Sequence, residues 1–225
     1  MRNPRRLKEK MRVRILQLTD IHASRRGLET LKGAVLSEKP DLVVICGDIT
    51  HFGPYEFATE LLKQLNHKAF VVLGNCDMPD TFEKISVQEN ITHLHGISQD
   101  FQGVRFSGFG GANGTPWAYG NLYSEEEIYE GLKRIVDEKT VLVTHTPPVS
   151  FVRARISEEM GSVAVDRIVH EKKPVAVLCG HIHEASGIER IFGKTLVVNP
   201  GPAKHGKYAV IEVEGEKVEA RINED

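Results

Sequence analysis

Five short segments share one pattern: an apolar run that stops abruptly at Asp, Asn or His, in most cases beside Gly. They are Leu16-Gln-Leu-Thr-Asp20-Ile-His22, Val43-Val-Ile-Cys-Gly47-Asp48, Val71-Val-Leu-Gly74-Asn75-Cys76-Asp77, Val141-Leu-Val-Thr-His145 and Val177-Leu-Cys-Gly180-His181-Ile-His183. Carboxylate oxygens are hard donors and imidazole nitrogens borderline ones. A set of both suits Mn, with Fe, Zn, Ni or Co as alternatives, and not an all-oxygen calcium cage. Two such ions about 3.5–4 Å apart clamp the attacking and leaving oxygens of a phosphoryl transfer, and lower the pKa of a bound water from ~15.7 towards ~7. The chemistry expected is in-line attack of a metal-bound hydroxide on a phosphoester. Asp20, His22, Asp48, Asn75, His145, His181 and His183 are the candidate ligands. Asp48 is the expected bridge, because it follows a central strand. His181 and His183 alternate, which on an extended segment points both side chains the same way. Any one of these segments is common by chance; the ordered set of five is specific.

The elements that must position these residues are short β-branched runs alternating with amphipathic segments. Val13–Leu18, Leu42–Cys46 and Ala69–Leu73 read as strands, with helices over Leu28–Ser37, where apolar residues recur at helical spacing, and over Tyr55–Leu65, entered through Pro54. This alternation predicts βαβ units and a largely parallel sheet, whose strand ends converge on one crevice. Further on, Ile97–Phe101 and Val104–Phe109 flank a hairpin turn at Gln102-Gly103, and Glu125–Val136 is a helix capped by Ser124. Val141–Thr144 and Val175–Cys179 are strands around a helix at Val163–His170. Short strands at Gly187–Ile191, Thr195–Val198, Tyr208–Val213 and Val218–Ile222 close the chain. An α/β chain that finishes as antiparallel β predicts two sheets packed face to face with helices outside. Residues 1–12 read as a basic, solvated tail and 13–225 as a single domain.

With these motifs in order, the sequence resembles the calcineurin-like metallophosphoesterase family, whose pattern is Asp-x-His, Gly-Asp, Gly-Asn-His-Asp/Glu, a strand-end His and Gly-His-x-His. The resemblance runs from residue 20 to 183. It implies a four-layer αββα sandwich of two mixed β-sheets flanked by helices. It also implies one metal ion held by Asp20, His22, Asp48 and His183 and a second held by Asp48, Asn75, His145 and His181. One position departs: the family's usual Gly-Asn-His has Cys76 here, as in some small bacterial and archaeal phosphodiesterase-like branches. A thiol is a weak hydrogen-bond donor and replaces an imidazole acid poorly. Among the catalytic candidates Asp48, Asn75, His51, Cys76 and Asp77, His51 is therefore the best substitute acid, and Asp77 is left to support its neighbours. No Arg accompanies the Gly-Asp motif (Gly47-Asp-Ile-Thr-His-Phe-Gly53), which sets the chain apart from the protein-phosphatase branch. A phosphodiesterase is favoured over a phosphomonoesterase; a non-catalytic scaffold of the same fold is the rival from another class.

Substrate contacts are expected from the glycine-rich loop over residues 110–120, with Asn113 and Trp117, and from His205 after Asn199-Pro-Gly201. His67, His93, His95 and His170 lie in polar segments and are expected at the surface. The 225 residues carry a formal net charge of −2, which argues against stable nucleic-acid binding. The expected partner is a small phosphoester, a nucleotide among the candidates, and the oligomeric state is left open. No segment approaches the ~20 apolar residues of a membrane span. Cys46, Cys76 and Cys179 lack CxxC spacing, which points to a reducing, cytoplasmic setting without disulfides.

Overall fold

The computed structural model describes residues 12–53, 55–78, 81, 83, 88–114, 120–156 and 160–223. Strands β1 (Arg12–Leu18), β2 (Leu42–Cys46), β3 (Ala69–Val72) and β4 (Ile91–His93) run parallel, and β13 (Ala209–Glu214) and β14 (Lys217–Ile222) extend the β1 edge antiparallel. The second sheet mirrors this plan. Its parallel centre is β6 (Val104–Phe109), β9 (Thr140–Thr144), β10 (Ala176–Leu178) and β12 (Thr195–Asn199), edged antiparallel by β5 (Ile97–Phe101) and β11 (Gly187–Ile191). A two-stranded piece, β7 (Ala112–Asn113) with β8 (Leu122–Tyr123), stands apart.

Strand residues that alternate in direction divide the core into three layers. Val13, Ile15, Val44, Cys46, Phe70 and Val72 of the first sheet pack against Phe106, Val143, Leu178 and Val198 of the second. The opposite face of the first sheet (Leu16, Leu18, Val43, Ile45) receives helices α1 (Arg25–Glu38) and α2 (Tyr55–Lys63). The outer face of the second receives α3 (Glu125–Leu132), α4 (Val149–Arg155) and α5 (Val163–Lys172). The order is helix, sheet, sheet, helix, as the αββα expectation has it. Between the sheets the buried Gln17 side chain donates Nε2–H to the Cys179 and Val198 carbonyls at 2.9 and 3.1 Å, tying β1 to the second sheet just below the strand ends.

The helices begin where local chemistry tells them to. The Ser24 hydroxyl accepts from the Gly27 N–H and Ser162 from Val165, while Ser124 and Glu127 form a reciprocal capping box. The C-terminal strands differ from the simplest expectation. They form two antiparallel pairs, but β11–β12 lies in the second sheet and β13–β14 in the first. Arg12 opens β1 and is not part of a tail, and residues 1–11 lie outside the described residues. His93 and His95 are half-buried rather than fully exposed. His95 packs on Phe109 and Tyr123 with ring centroids 4.3 and 5.1 Å away, and His93 stacks on His95. Burial, with the neighbouring His95, lowers His93 to about 4. All three cysteines are free and buried. Among the described residues no helix is long and apolar enough to cross a membrane.

Candidate metal centre

At the C-terminal ends of β1, β2, β3, β9 and β10 the five polar segments meet. Four of the candidate ligands pay for their position in backbone strain: Asp20, His22, Asp48 and His181 have φ of 54°, 50°, 50° and 68°. Side-chain-bearing residues rarely adopt this region, and each instance costs roughly 1–3 kcal/mol unless the surroundings enforce it. The motif glycines do more than allow turns. A Cβ on Gly74 would overlap the Asp48 carboxylate, and one on Gly180 would overlap Thr19 and crowd Asp20 Oδ2 at 2.7 Å. The glycine of one motif thus makes room for the carboxylate of another. His181 and His183 also arrive differently from the extended geometry expected of them: His181 is in the left-handed region and His183 opens a 3-10 turn.

Asp20 and Asp48 are almost fully buried, with 1% and 2% exposure. Asp20 Oδ2 accepts from the Thr19 hydroxyl at 2.8 Å and the His181 N–H at 3.0 Å. Its Oδ1 faces His183 Nε2 at 3.1 Å and His22 Nε2 at 3.6 Å. Asp48 reaches both ways, with Oδ2 3.7 Å from His22 Nε2 and Oδ1 3.5 Å from His145 Nε2. The Cys76 N–H holds Asp48 Oδ1 at 2.8 Å. His145 donates Nδ1–H to the Cys46 carbonyl at 2.7 Å, which aims Nε2 at Asn75 Oδ1, 3.1 Å away. The His181 ring lies 4.9 Å from that of His145.

Among the described residues three groups of donors result, Asp20/His22/His183, Asp20/Asp48/His145 and His22/His51/Cys76, each with ligand atoms within 4.8 Å of one another; the first two share Asp20, and the third lies at the mouth. Asp20 Oδ1 and His22 Nε2 are both buried without a hydrogen-bond partner in the protein. Two adjacent orphaned donors of this chemistry fit a divalent ion, since buried polar atoms otherwise find partners.

Electrostatics follow from this crowding. Burial disfavours the charged form of both carboxylates, but the His183 and His22 imidazoles that face it hold Asp20 well below the usual range, and the His145 charge lowers Asp48. Burial equally opposes charge on His145, yet the Asp48 and Asp20 carboxylates outweigh it and raise this imidazole to about 9. His181, buried beside the His145 charge, falls to about 4.

Cys76 is buried, and its burial together with the Asp48 charge pushes the thiol up, so it stays protonated. Its sulfur accepts from Asn75 Nδ2 at 3.3 Å. Asp77 is fully enclosed and accepts from Ile49 N, Thr50 N, Thr50 Oγ1 and Gly74 N, stapling the β2 and β3 loops together. His51 is exposed at the mouth, with Nδ1 3.4 Å from His22 Nδ1. Asn113 donates its amide to the Gly161 carbonyl at 3.1 Å, bracing its loop. Trp117 lies outside the described residues. His205 is exposed in a 3-10 turn whose first residues bond to the Thr19 and Asp20 carbonyls. Sequence reading missed Asn199, which ends β12 in the same apolar-then-polar pattern as the other five. Its Nδ2 donates to the Ile182 carbonyl at 2.9 Å and its Oδ1 accepts from Gly201 N at 2.9 Å, so it ties the His181–His183 turn to the following loop.

Residues 13–185 match the family model described as calcineurin-like phosphoesterase. The uncharacterized protein MJ1162 of Methanocaldococcus jannaschii is 33% identical over 209 residues, covering 87% of this chain and 91% of its own. A probable glycerophosphodiester phosphodiesterase GpdQ of Arcobacter nitrofigilis is 27% identical over 183 residues, covering 76% of this chain and 66% of its own. The crystal structure of TT1561 of Thermus thermophilus superposes with a TM-score of 0.71 at 19% identity, over 94% of this chain and 99% of that one.

Proposed function

The chain belongs to the calcineurin-like phosphoesterase family, and from that premise we propose that it is a dinuclear metal-dependent phosphodiesterase acting on a small phosphodiester. The observation that carries this reading is Asp48, buried and placed between His22 on one side and His145 on the other. One ion would be held by Asp20, His22, Asp48 and His183, the other by Asp48, Asn75, His145 and His181, with Mn favoured for the mixed oxygen and nitrogen donors. Such ions, when bound, supply positive charge to the phosphoryl oxygens and acidify the attacking water.

The chain's own residues hold that arrangement. The Cys46 carbonyl selects the His145 tautomer that leaves Nε2 free, and the Cys76 N–H sets the Asp48 carboxylate. Asp77 keeps the Asp48 and Asn75 loops in register. With His22 Nε2 turned toward the carboxylates, its Nδ1 faces His51 Nδ1 at 3.4 Å. The contact supports His51 as a positioning residue for His22, with the acid role expected from sequence as the alternative. Cys76, whose thiol is pushed up by burial and the Asp48 charge, is a poor proton donor. Loss of a general acid costs about 10²–10⁴-fold, so the reading favours substrates with a good leaving group. The relative described as a probable glycerophosphodiester phosphodiesterase supports a diester. Asn113, Trp117 and His205 are kept as substrate-side candidates, a nucleotide as one class of substrate, and the cytoplasm as the location.

The test is hydrolysis of bis(p-nitrophenyl) phosphate and p-nitrophenyl phosphate by chelator-treated protein before and after addition of Mn²⁺. The expected result is metal-dependent cleavage, with kcat/KM for the diester the larger. Preference for the monoester would reverse the substrate class.

A further inference from the structure

The turn that carries His183 runs on into Ser186 and Gly187, and two cations from distant parts of the chain close on this point. Arg155, the last residue of α4, donates Nη2–H to the Ser186 carbonyl at 3.1 Å. Lys207, from the loop after β12, places Nζ 3.4 Å from Ser186 Oγ. Among the described residues neither cation has a carboxylate within 4 Å, whereas Arg14, Arg105, Arg167 and Arg221 are all ion-paired. Glu184, in the same turn, is exposed and pairs with neither.

The backbone is shaped around both cations. A Cβ on Gly187 would overlap the Arg155 guanidinium. One on Gly201, at φ 83°, would lie 2.9 Å from Lys207 Cδ and 3.0 Å from Ser186 Cβ. Side chains at these two positions would drive the cations apart. Two like charges held on one residue, Arg155 on its carbonyl and Lys207 on its hydroxyl, make a receptor for an anion.

This spot is joined rigidly to the metal centre. His183 and Ser186 are separated by a single 3-10 turn, roughly 6 Å of rise. The loop that leads to Lys207 rests on the Thr19 and Asp20 carbonyls through Ala203 N at 2.9 Å and Lys204 N at 3.4 Å. Asn199 fastens that loop to the His181–His183 turn.

We propose that Arg155, Lys207 and the Ser186 hydroxyl form a subsite for a second anionic group of the substrate, a phosphate or carboxylate one short linker away from the scissile diester. The assignment rests on the phosphodiesterase reading above and specifies its substrate class: a diester with an additional negative charge on one arm. Arg supplies a permanently charged fork, Lys a mobile point charge and Ser a hydroxyl donor, which together recognise a tetrahedral or planar oxyanion.

Two measurements on the full chain test it. In the first, Mn²⁺-loaded wild type, Arg155→Ala and Lys207→Ala act on a p-nitrophenyl phosphodiester with a phosphate on its alkyl arm and on the same diester with a hydroxyl there. Each variant is expected to lose about tenfold to a hundredfold in kcat/KM on the phosphate-bearing substrate, the scale of a charge-assisted hydrogen bond, and less than about twofold on the other. Arg155→Lys and Lys207→Arg should restore part of the loss, which separates lost charge from a folding defect. In the second, inorganic pyrophosphate is titrated calorimetrically into the metal-free chain. Wild type should bind it and both alanine variants should bind at least about tenfold more weakly. If diesters are cleaved but the variants treat both substrates alike, the subsite is wrong and the phosphodiesterase reading stands. If no diester is cleaved while pyrophosphate binding still depends on Arg155 and Lys207, the anion site stands as a receptor for a free anion and the substrate-arm assignment falls. Absence of pyrophosphate binding in wild type overturns the subsite outright.

Discussion

Two charge clusters in this protein are built on opposite rules. At the edge of the first sheet, Glu38 accepts from Arg14, Arg221 and the Tyr208 hydroxyl, and Arg14 turns its other arm to Glu212 at 3.0 Å. Each charge there has an opposite partner, and Glu38 itself is in ordinary helical backbone at the end of α1. At the strand ends, Asp20 and Asp48 are buried close together, Asp20 Oδ1 and His22 Nε2 lack hydrogen-bond partners, and four ligands occupy a strained backbone region. The first cluster pairs every formal charge within the fold, although Arg14 Nε is buried without a hydrogen-bond partner. The second gathers unpartnered ligand atoms on strained backbone, and its donor set fits a divalent metal. Strained backbone beneath unpartnered ligand atoms separates a site from a structural network more sharply than charge density does.

The largest effect that would break this comparison is at Asp48. Asp48→Asn keeps an acceptor for the Cys76 N–H but removes the bridging charge. Metal-dependent kcat/KM should fall on the order of 10³-fold or more, while calorimetric unfolding of the metal-free chain shifts by no more than about 3 °C. Near-full activity would remove the case for a shared carboxylate. His51→Ala comes next. Losing the partner of a metal-ligating histidine typically costs about 10–100-fold in metal affinity, and substrates with good and poor leaving groups should slow alike. Selective slowing of poor leaving groups would restore His51 as the acid.

Glu38→Gln is the matched change in the structural cluster. It should lower stability by about 1–2 kcal/mol in urea unfolding, allowing for solvent at the half-exposed Arg221, and leave kcat/KM unchanged. The Arg221 and Arg14 guanidinium groups hold the Glu38 carboxyl below its ordinary value. Its contribution is therefore present above the unfolded pKa of about 4.3 and is lost as pH falls through the lower folded value. His145 shows the opposite sign. Held at about 9 in the metal-free chain, above an unfolded value of about 6.5, it stabilises fully below the unfolded value and loses that contribution as pH rises through 9. A metal ion needs the Nε2 lone pair and must displace this proton. Metal affinity should accordingly rise about tenfold per pH unit below 9 with release of about one proton, which calorimetry in buffers of different ionisation enthalpy would read. A pH-independent affinity would mean that His145 is not a ligand.

Much of this was legible in the sequence because each ligand directly follows an apolar strand. The period of the strands and the abrupt polar ends then stand in one stretch of chain. What was not legible depends on contacts between distant segments. The strand β4, Ile91-Thr92-His93, is only three residues long and is held by pairing with β3. His93 and His95 look polar in one dimension, but His95 packs on Phe109 and Tyr123 from further along the chain and His93 stacks on His95. The parting of the last four strands between two sheets is set by pairing with β1 and β10, which no local pattern encodes. Asn199 followed the same pattern as the other strand-end residues and was readable. Arg155 and Lys207 were not, because they reach Ser186 from distant parts of the chain.

The central claim is that Asp48 lies between two metal ions, and the most direct test is the stoichiometry of Mn²⁺ binding to wild type and Asp48→Asn, followed together with bis(p-nitrophenyl) phosphate hydrolysis. Binding and activity should both saturate at two equivalents per wild-type chain, with the variant losing at least one tightly bound ion and its activity together. Full wild-type activity at one equivalent, or two ions retained tightly by Asp48→Asn, would contradict it.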